Sequence, residues 1–175
     1  MIPVISFVGN SGVGKTTFLE KLIVILKARG YRLAAIKHDV HEFEVDYPGK
    51  DSWRLTQAGA DIVVLSSADK LALIERPNEE RDLEGLVAMV DDRVDIVLTE
   101  GYRGASAMKI EVSRSAHSHE ITGRLDDLLA IVTDAAFDYG VPQFDLEDAA
   151  GVADFIEERF SLAPSTKGLS RRVDL

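Results

Sequence analysis

Five short apolar runs, at residues 4–8, 33–36, 62–65, 96–98 and 128–132, recur along the chain between polar or glycine-containing stretches. They lack period-two alternation, which predicts strands covered on both faces, as in a parallel sheet. After the first run, Phe18, Leu19, Leu22, Ile23, Ile25 and Leu26 fall at helical spacing, with Lys27 and Arg29 in the last turn and Gly30 as a stop. A second helix is expected to start near Asp51 or Ser52 and stop at Gly59, and a third to cover 83–90. Asp145 is placed to cap a last helix running to Phe160, with Val152, Phe155 and Ile156 facing inward. Strands alternating with helices predict an α/β fold, a mostly parallel sheet with helices on both faces.

Two stretches break this rhythm. Between residues 41 and 50, Phe43, Val45 and Tyr47 alternate with charges before Pro48-Gly49, which reads as an extended β arm ending in a turn, either an edge strand or a dimer contact. Residues 108–112 alternate as a strand with one wetter face, and 70–74 form a further candidate. Trp53 and Leu55 read as packing residues of the second helix. Residues 161–175 have no periodic apolar face, so a mobile C-terminal tail is expected after a single domain spanning 1–160.

The length of 175 residues fits one domain, and 46% hydrophobic residues are enough for a core. With 20 Lys plus Arg against 30 Asp plus Glu, the net charge of −10 disfavours phosphodiester backbones, and no basic patch offsets it, so no nucleic-acid partner is expected. Zero cysteines exclude disulfides, Cys-type zinc sites and thiolate catalysis, and fit a reducing cytoplasm. Residues 1–8 lack a basic n-region and are too short for a signal peptide or membrane span, so no membrane association is expected.

The decisive motif is Gly9-Asn10-Ser11-Gly12-Val13-Gly14-Lys15-Thr16, a G-x-x-x-x-G-K-[ST] run between the first strand and the best-defined helix. In that setting loop amides and the helix N-terminus hold polyphosphate, because both favour negative charge. This predicts a P-loop NTPase fold that binds a nucleoside triphosphate. Lys15 is expected on the β- and γ-phosphates and the Thr16 hydroxyl on Mg2+. Residues 95–101 deliver Glu100 at a strand end, where it could hold a Mg2+-bound water, position the attacking water, or simply end the strand in solvent. Asp39, closing Ile36-Lys37-His38-Asp39, is a second metal candidate, and Lys37 could face a phosphate or a second ligand.

Base recognition is less defined. No Asn-Lys-x-Asp tetrad is present, but Asp134 ends a late strand, where its carboxylate could accept from guanine N1–H and N2–H2 or serve as a cap or turn residue. His38-x-x-His41 and His117-x-His119 are weak metal pairs without a third ligand. Ser113-Arg114-Ser115 could be an anion-binding turn or solvated surface, and Arg103 and Arg114, conceivable arginine fingers, read more naturally as surface charges. Without a catalytic Gln or a clear finger, slow hydrolysis is expected.

Taken together, several motifs resemble the MobB family of molybdopterin-guanine dinucleotide biosynthesis adaptors: the loop from Gly9 to Thr17, Ile36-Lys37-His38-Asp39-Val40-His41, Asp46-Tyr47-Pro48-Gly49-Lys50-Asp51-Ser52, Ala58-Gly59-Ala60, Thr99-Glu100-Gly101-Tyr102-Arg103 and Lys109-Ile110-Glu111-Val112. The resemblance covers most of residues 2–134. It implies a weakly hydrolysing, GTP-binding homodimer, joined in part by the arm, that works beside the guanylyltransferase MobA as GMP is attached to molybdopterin. It also implies nucleotide and Mg2+ roles for Lys15, Thr16 and Glu100, within a site that extends to Thr17. The arm from Phe43 to Asp51 falls where dimer contacts or a molybdopterin-facing groove would be expected. Rival readings are a small-molecule or nucleotide kinase of the P-loop class and a metallochaperone GTPase.

Overall fold

The computed structural model describes residues 2–38, 43–117 and 120–163. The chain forms two compact units, one built from Met1–His38 with Leu83–Leu175 and the other from Asp39–Asp82.

The larger unit holds β1 (Val4–Val8), α1 (Lys15–Ala28), β2 (Leu33–Lys37), α3 (Leu83–Ala88), β5 (Ile96–Glu100), β6 (Met108–Ser113), β7 (Leu128–Thr133), β8 (Gln143–Phe144) and α4 (Ala149–Phe160). Its six strands run in the order β2-β5-β1-β6-β7-β8, and every neighbouring pair is parallel. The mostly parallel α/β sheet expected from the apolar runs is therefore present. On one face, Ile5, Phe7, Ile96, Leu98, Ile110, Val112, Ala130 and Val132 pack with Phe18, Leu22 and Leu26 of α1 and with Val152 and Ile156 of α4. The helical spacing of those residues in the sequence is what sets this layer.

β6 differs from its expected wetter face. Lys109 and Glu111 are 0% and 1% exposed, because β6 lies inside the sheet between β1 and β7 and later loops cover its second face. The Lys109 ammonium donates to Asp127 Oδ2 at 2.7 Å and to the Ala105 and Ala107 carbonyls at 3.0 and 3.2 Å. The Glu111 carboxylate accepts from the Thr122 and Gly123 amides at 2.9 and 3.0 Å and from the Thr122 hydroxyl. Alternation in β6 thus separates an apolar face from a buried polar face whose charges are fully engaged, the condition under which burial of charge is tolerated.

Smaller corrections follow local chemistry. The last helix is capped by Asp148, whose Oδ1 accepts from Gly151 N at 2.8 Å, whereas Asp145 accepts from Glu147 N and closes the turn before it. α3 stops at Ala88, and residues 89–91 close in turns back to Leu86 and Val87. Leu162, inside the expected tail, packs on the core, while residues 164–175 lie outside the described residues.

The smaller unit holds α2 (Asp51–Gln57) and the antiparallel hairpin β3 (Ile62–Ser66) with β4 (Leu71–Glu75), paired Val64 to Leu73 and closed by Ser67 and Lys70. The run at 62–65 is therefore not a strand of the parallel sheet. α2 covers one side, burying Val63, while Ile62 and Val64 are 52% and 56% exposed on the other. Leu55 of α2 is exposed rather than packed. Residues 43–50 contain no strand and end in a turn in which Lys50 N donates to Tyr47 O at 3.1 Å with Gly49 at φ +89°.

Candidate functional site

Because β1 lies between β5 and β6, the segment leaving its C-terminal end emerges at mid-sheet on the carboxyl edge, where open α/β sheets bind ligands. Gly9 has φ +142°, and a Cβ there would lie 2.1 Å from the Val112 carbonyl oxygen, so only glycine lets the chain leave β1 hard against β6. The loop ends at Gly14, the N-cap of α1 at φ +99°, and Lys15 and Thr16 form the first turn of that helix. Lys15 reaches back across the loop, its ammonium donating to the Asn10 and Gly9 carbonyls at 2.8 and 3.2 Å. Burial pulls its pKa below the usual lysine value, and the nearby Glu100 carboxylate opposes that shift.

Glu100 closes β5 with its side chain 16% exposed. Its Oε2 accepts the Thr16 hydroxyl proton at 2.7 Å, and its Oε1 lies 4.0 Å from the ammonium of Lys37, the last residue of β2. A hydroxyl and a carboxylate in contact at a helix N-terminus, beside a lysine folded over loop carbonyls, suit a hard divalent cation bridged to an anion. The residues present therefore fit a magnesium–polyphosphate ligand.

Arg103 is an exposed charge and Arg114 a half-buried one, and both reach the loop. Gly101 at φ +96° and Tyr102 at φ +56° follow Glu100 in left-handed conformation, and the reversal brings Arg103 back so that its Nη2 donates to the Gly9 carbonyl at 2.5 Å. Arg114, the first residue after β6, directs Nε at the Val13 carbonyl at 3.5 Å. His117 lies by Gly12, where an added Cβ would sit 3.4 Å from its Cε1. The sequence signal for these three is positional: they follow the two strands that flank β1, whose ends open onto the loop.

Asp134 follows β7, and its Oδ1 accepts from the Ser115 amide at 2.6 Å, which holds the carboxyl below its usual pKa. It thereby fixes the turn that carries Arg114. Asp39, His41 and His119 lie outside the described residues, and no three His, Asp or Glu side chains among the described residues gather as a metal site.

The family MobB, molybdopterin guanine dinucleotide synthesis protein B, matches residues 4–134. The chain belongs to the MobB family. It is 39% identical over 163 residues to a molybdopterin-guanine dinucleotide biosynthesis adapter protein of Escherichia coli K12, covering 90% of this chain and 93% of the relative. It is 35% identical over 157 residues to the protein of the same description from Haemophilus influenzae, covering 89% and 88%. Among solved structures it is similar to one described as molybdopterin-guanine biosynthesis protein B (mobB), with a TM-score of 0.72, 30% identity and coverage of 91% and 99%. Bacillus subtilis MobB is similar with a TM-score of 0.74 and 26% identity, covering 90% of this chain and 98% of that one. The MobB match spans β1 to the end of β7, and so includes the loop, Glu100, Arg103, Arg114 and Asp134.

Proposed function

We propose that this MobB-family chain is a GTP-binding adaptor, with slow GTPase activity at most, that assists the guanylyltransferase MobA in converting molybdopterin to its guanine dinucleotide. The observation that carries the nucleotide part is the Thr16–Glu100 hydrogen bond of 2.7 Å beside the Lys15 ammonium, which gathers a metal-binding pair and a phosphate-binding cation at one helix N-terminus. The adaptor part rests on the relatives described above.

In this reading the loop amides from Gly9 to Gly14 and those of Lys15, Thr16 and Thr17 hold phosphate oxygens. Lys15 leaves the Gly9 and Asn10 carbonyls to meet the β- and γ-phosphates. Thr16 and Glu100 hold Mg2+, with Asp39 a further candidate ligand. When bound, the metal supplies charge neutralisation on the phosphates. Glu100 also orients the water that attacks the terminal phosphorus as the β–γ bridging oxygen leaves with the diphosphate. Gln143 bonds the Phe137 backbone and the loop motif at residues 9–17 contains no Gln, so turnover stays slow without a partner. Asp134 contributes to guanine selection in its turn with Ser115.

The exposed hairpin face at Ile62, Val64, Leu71 and Leu73 supports a homodimer, because a lone two-stranded hairpin is marginal in water. The protein acts in the cytoplasm. None of the described helices is long and apolar enough to cross a membrane.

The test is reconstitution of dinucleotide synthesis from molybdopterin, Mg2+-GTP and the purified guanylyltransferase. Adding this chain is expected to raise product yield, and Lys15→Ala is expected to abolish that gain. No gain from the wild-type chain contradicts the adaptor role, and an undiminished gain from Lys15→Ala contradicts the role of the nucleotide.

A further inference from the structure

Two cations converge on one neutral oxygen at the start of the phosphate loop. The Gly9 carbonyl accepts from Arg103 Nη2 at 2.5 Å and from Lys15 Nζ at 3.2 Å. Such a carbonyl can satisfy hydrogen bonds, but it cannot offset two positive charges that repel each other in a partly buried site. Consistent with this, Arg103 adds to burial in lowering the Lys15 pKa, against the larger opposing effect of the Glu100 carboxylate. The chain also adopts a strained backbone to bring Arg103 here. Tyr102, with a bulky side chain, takes φ +56° directly after Gly101 at φ +96°, a conformation that persists in folded proteins mainly where its surroundings enforce it.

Arg114 provides an internal contrast. It meets the other end of the loop, at Val13 and beside Gly14, where α1 begins and where the loop amides cradle the α- and β-phosphates. Arg103 instead shares its acceptor with Lys15, the side chain that reaches the β- and γ-phosphates. An arginine fork matches the oxygens of a terminal phosphate better than a point charge does.

We infer that Arg103 is a ligand of the terminal phosphate, through which the site distinguishes a nucleoside triphosphate from a diphosphate within one subunit. This rests on the nucleotide reading above. On binding, Arg103 exchanges the Gly9 carbonyl for phosphate oxygens.

The experiment is calorimetric titration of the full chain in Mg2+ with GDP and with a non-hydrolysable GTP analogue, for wild type, Arg103→Ala, Arg103→Gln, Arg103→Lys, Arg114→Ala and Lys15→Ala. Wild type is expected to prefer the triphosphate. Arg103→Ala is expected to weaken triphosphate binding about ten- to hundredfold, the scale of one hydrogen bond to a charged group, while GDP affinity stays unchanged. Arg103→Lys is expected to recover part of the preference. Arg103→Gln can still donate to the Gly9 carbonyl but carries no charge, and it is expected to behave like Arg103→Ala. Arg114→Ala and Lys15→Ala are expected to weaken both nucleotides. Equal loss of both nucleotides in Arg103→Ala, or full recovery in Arg103→Gln, would mean that Arg103 only braces the loop, and would overturn the inference. If wild type binds neither nucleotide, the nucleotide reading itself fails. If wild type binds both without preference, only the role of Arg103 fails. Circular dichroism checks each fold, and Arg103→Gln and Arg103→Lys decide the question if Arg103→Ala does not fold.

Discussion

The parallel sheet and the hairpin begin from the same sequence signal and end in opposite environments. Residues 4–8 and 62–65 are both unbroken apolar runs, yet Ile5, Phe7 and Val8 of β1 are fully buried while Ile62 and Val64 of β3 are about half exposed. The difference lies in what each run can pair with. β1 has a strand on either side and helices α1 and α4 over one face, whereas β3 has one antiparallel partner and a seven-residue helix over one side. An apolar run therefore predicts a strand, but not the layer that covers it.

Substitutions sharpen this contrast, the largest effects falling in the sheet. Leu22→Ala in α1 or Ile110→Ala in β6 is expected to cost about 2–5 kcal/mol in urea unfolding, because each removes a fully buried side chain and leaves a cavity. If the hairpin instead set the stability of the chain, both would be mild. Next comes Glu111→Ala, expected to cost about 1–3 kcal/mol by stranding the Thr122 and Gly123 amides, with partial recovery in Glu111→Gln. Loss of the α4 cap in Asp148→Ala is expected to cost about 1 kcal/mol. Val64→Ala on the exposed hairpin face is expected to change the stability of a single chain by less than about 0.5 kcal/mol. Sedimentation velocity then tests that face directly, since Leu73→Asp is expected to shift the chain toward monomer and to remove any dependence of the unfolding midpoint on protein concentration. An unchanged oligomeric state would remove the hairpin from the dimer proposal.

The smallest effect is a pH dependence. The Asp95 carboxylate accepts from the Arg32 side chain and from its backbone amide, which holds its pKa below the usual aspartate value. Its contribution to stability is thus complete above the unfolded-state pKa of about 3.9 and is lost as pH falls through the lower folded-state value. Thermal melts from pH 6 downward are expected to show a shallower acid loss for Asp95→Asn than for wild type, because Asn cannot titrate.

Much of the fold was legible because a periodic or unbroken apolar pattern directly encodes burial. The strands at 4–8, 33–37, 96–100 and 128–133 and the helix at 15–28 follow from it, as does the loop between the first strand and helix. What it missed depends on contacts distant in sequence. Lys109 and Glu111 read as a wet face because their partners, Asp127, Thr122 and Gly123, come later in the chain. Asp145 reads as the cap because it is an acid just before the last helix, but Asp148 is another, and it is Asp148 whose side chain accepts from the first turn. At the site, Lys15, Thr16 and Glu100 come from motif and strand-end logic, and the structure brings Thr16 to Glu100. Arg103 and Arg114 read as surface charges, and Arg103 is exposed; that both also meet loop carbonyls is not legible, because nothing local to them predicts that β5 and β6 flank β1.

The central claim is that this loop binds Mg2+-GTP, and calorimetry of the wild-type chain with GTP and ATP in Mg2+, with Lys15→Ala as control, tests it most directly. The account predicts saturable GTP binding that exceeds ATP binding and is lost in Lys15→Ala. Equal or stronger binding of ATP, or GTP binding that survives Lys15→Ala, would contradict it.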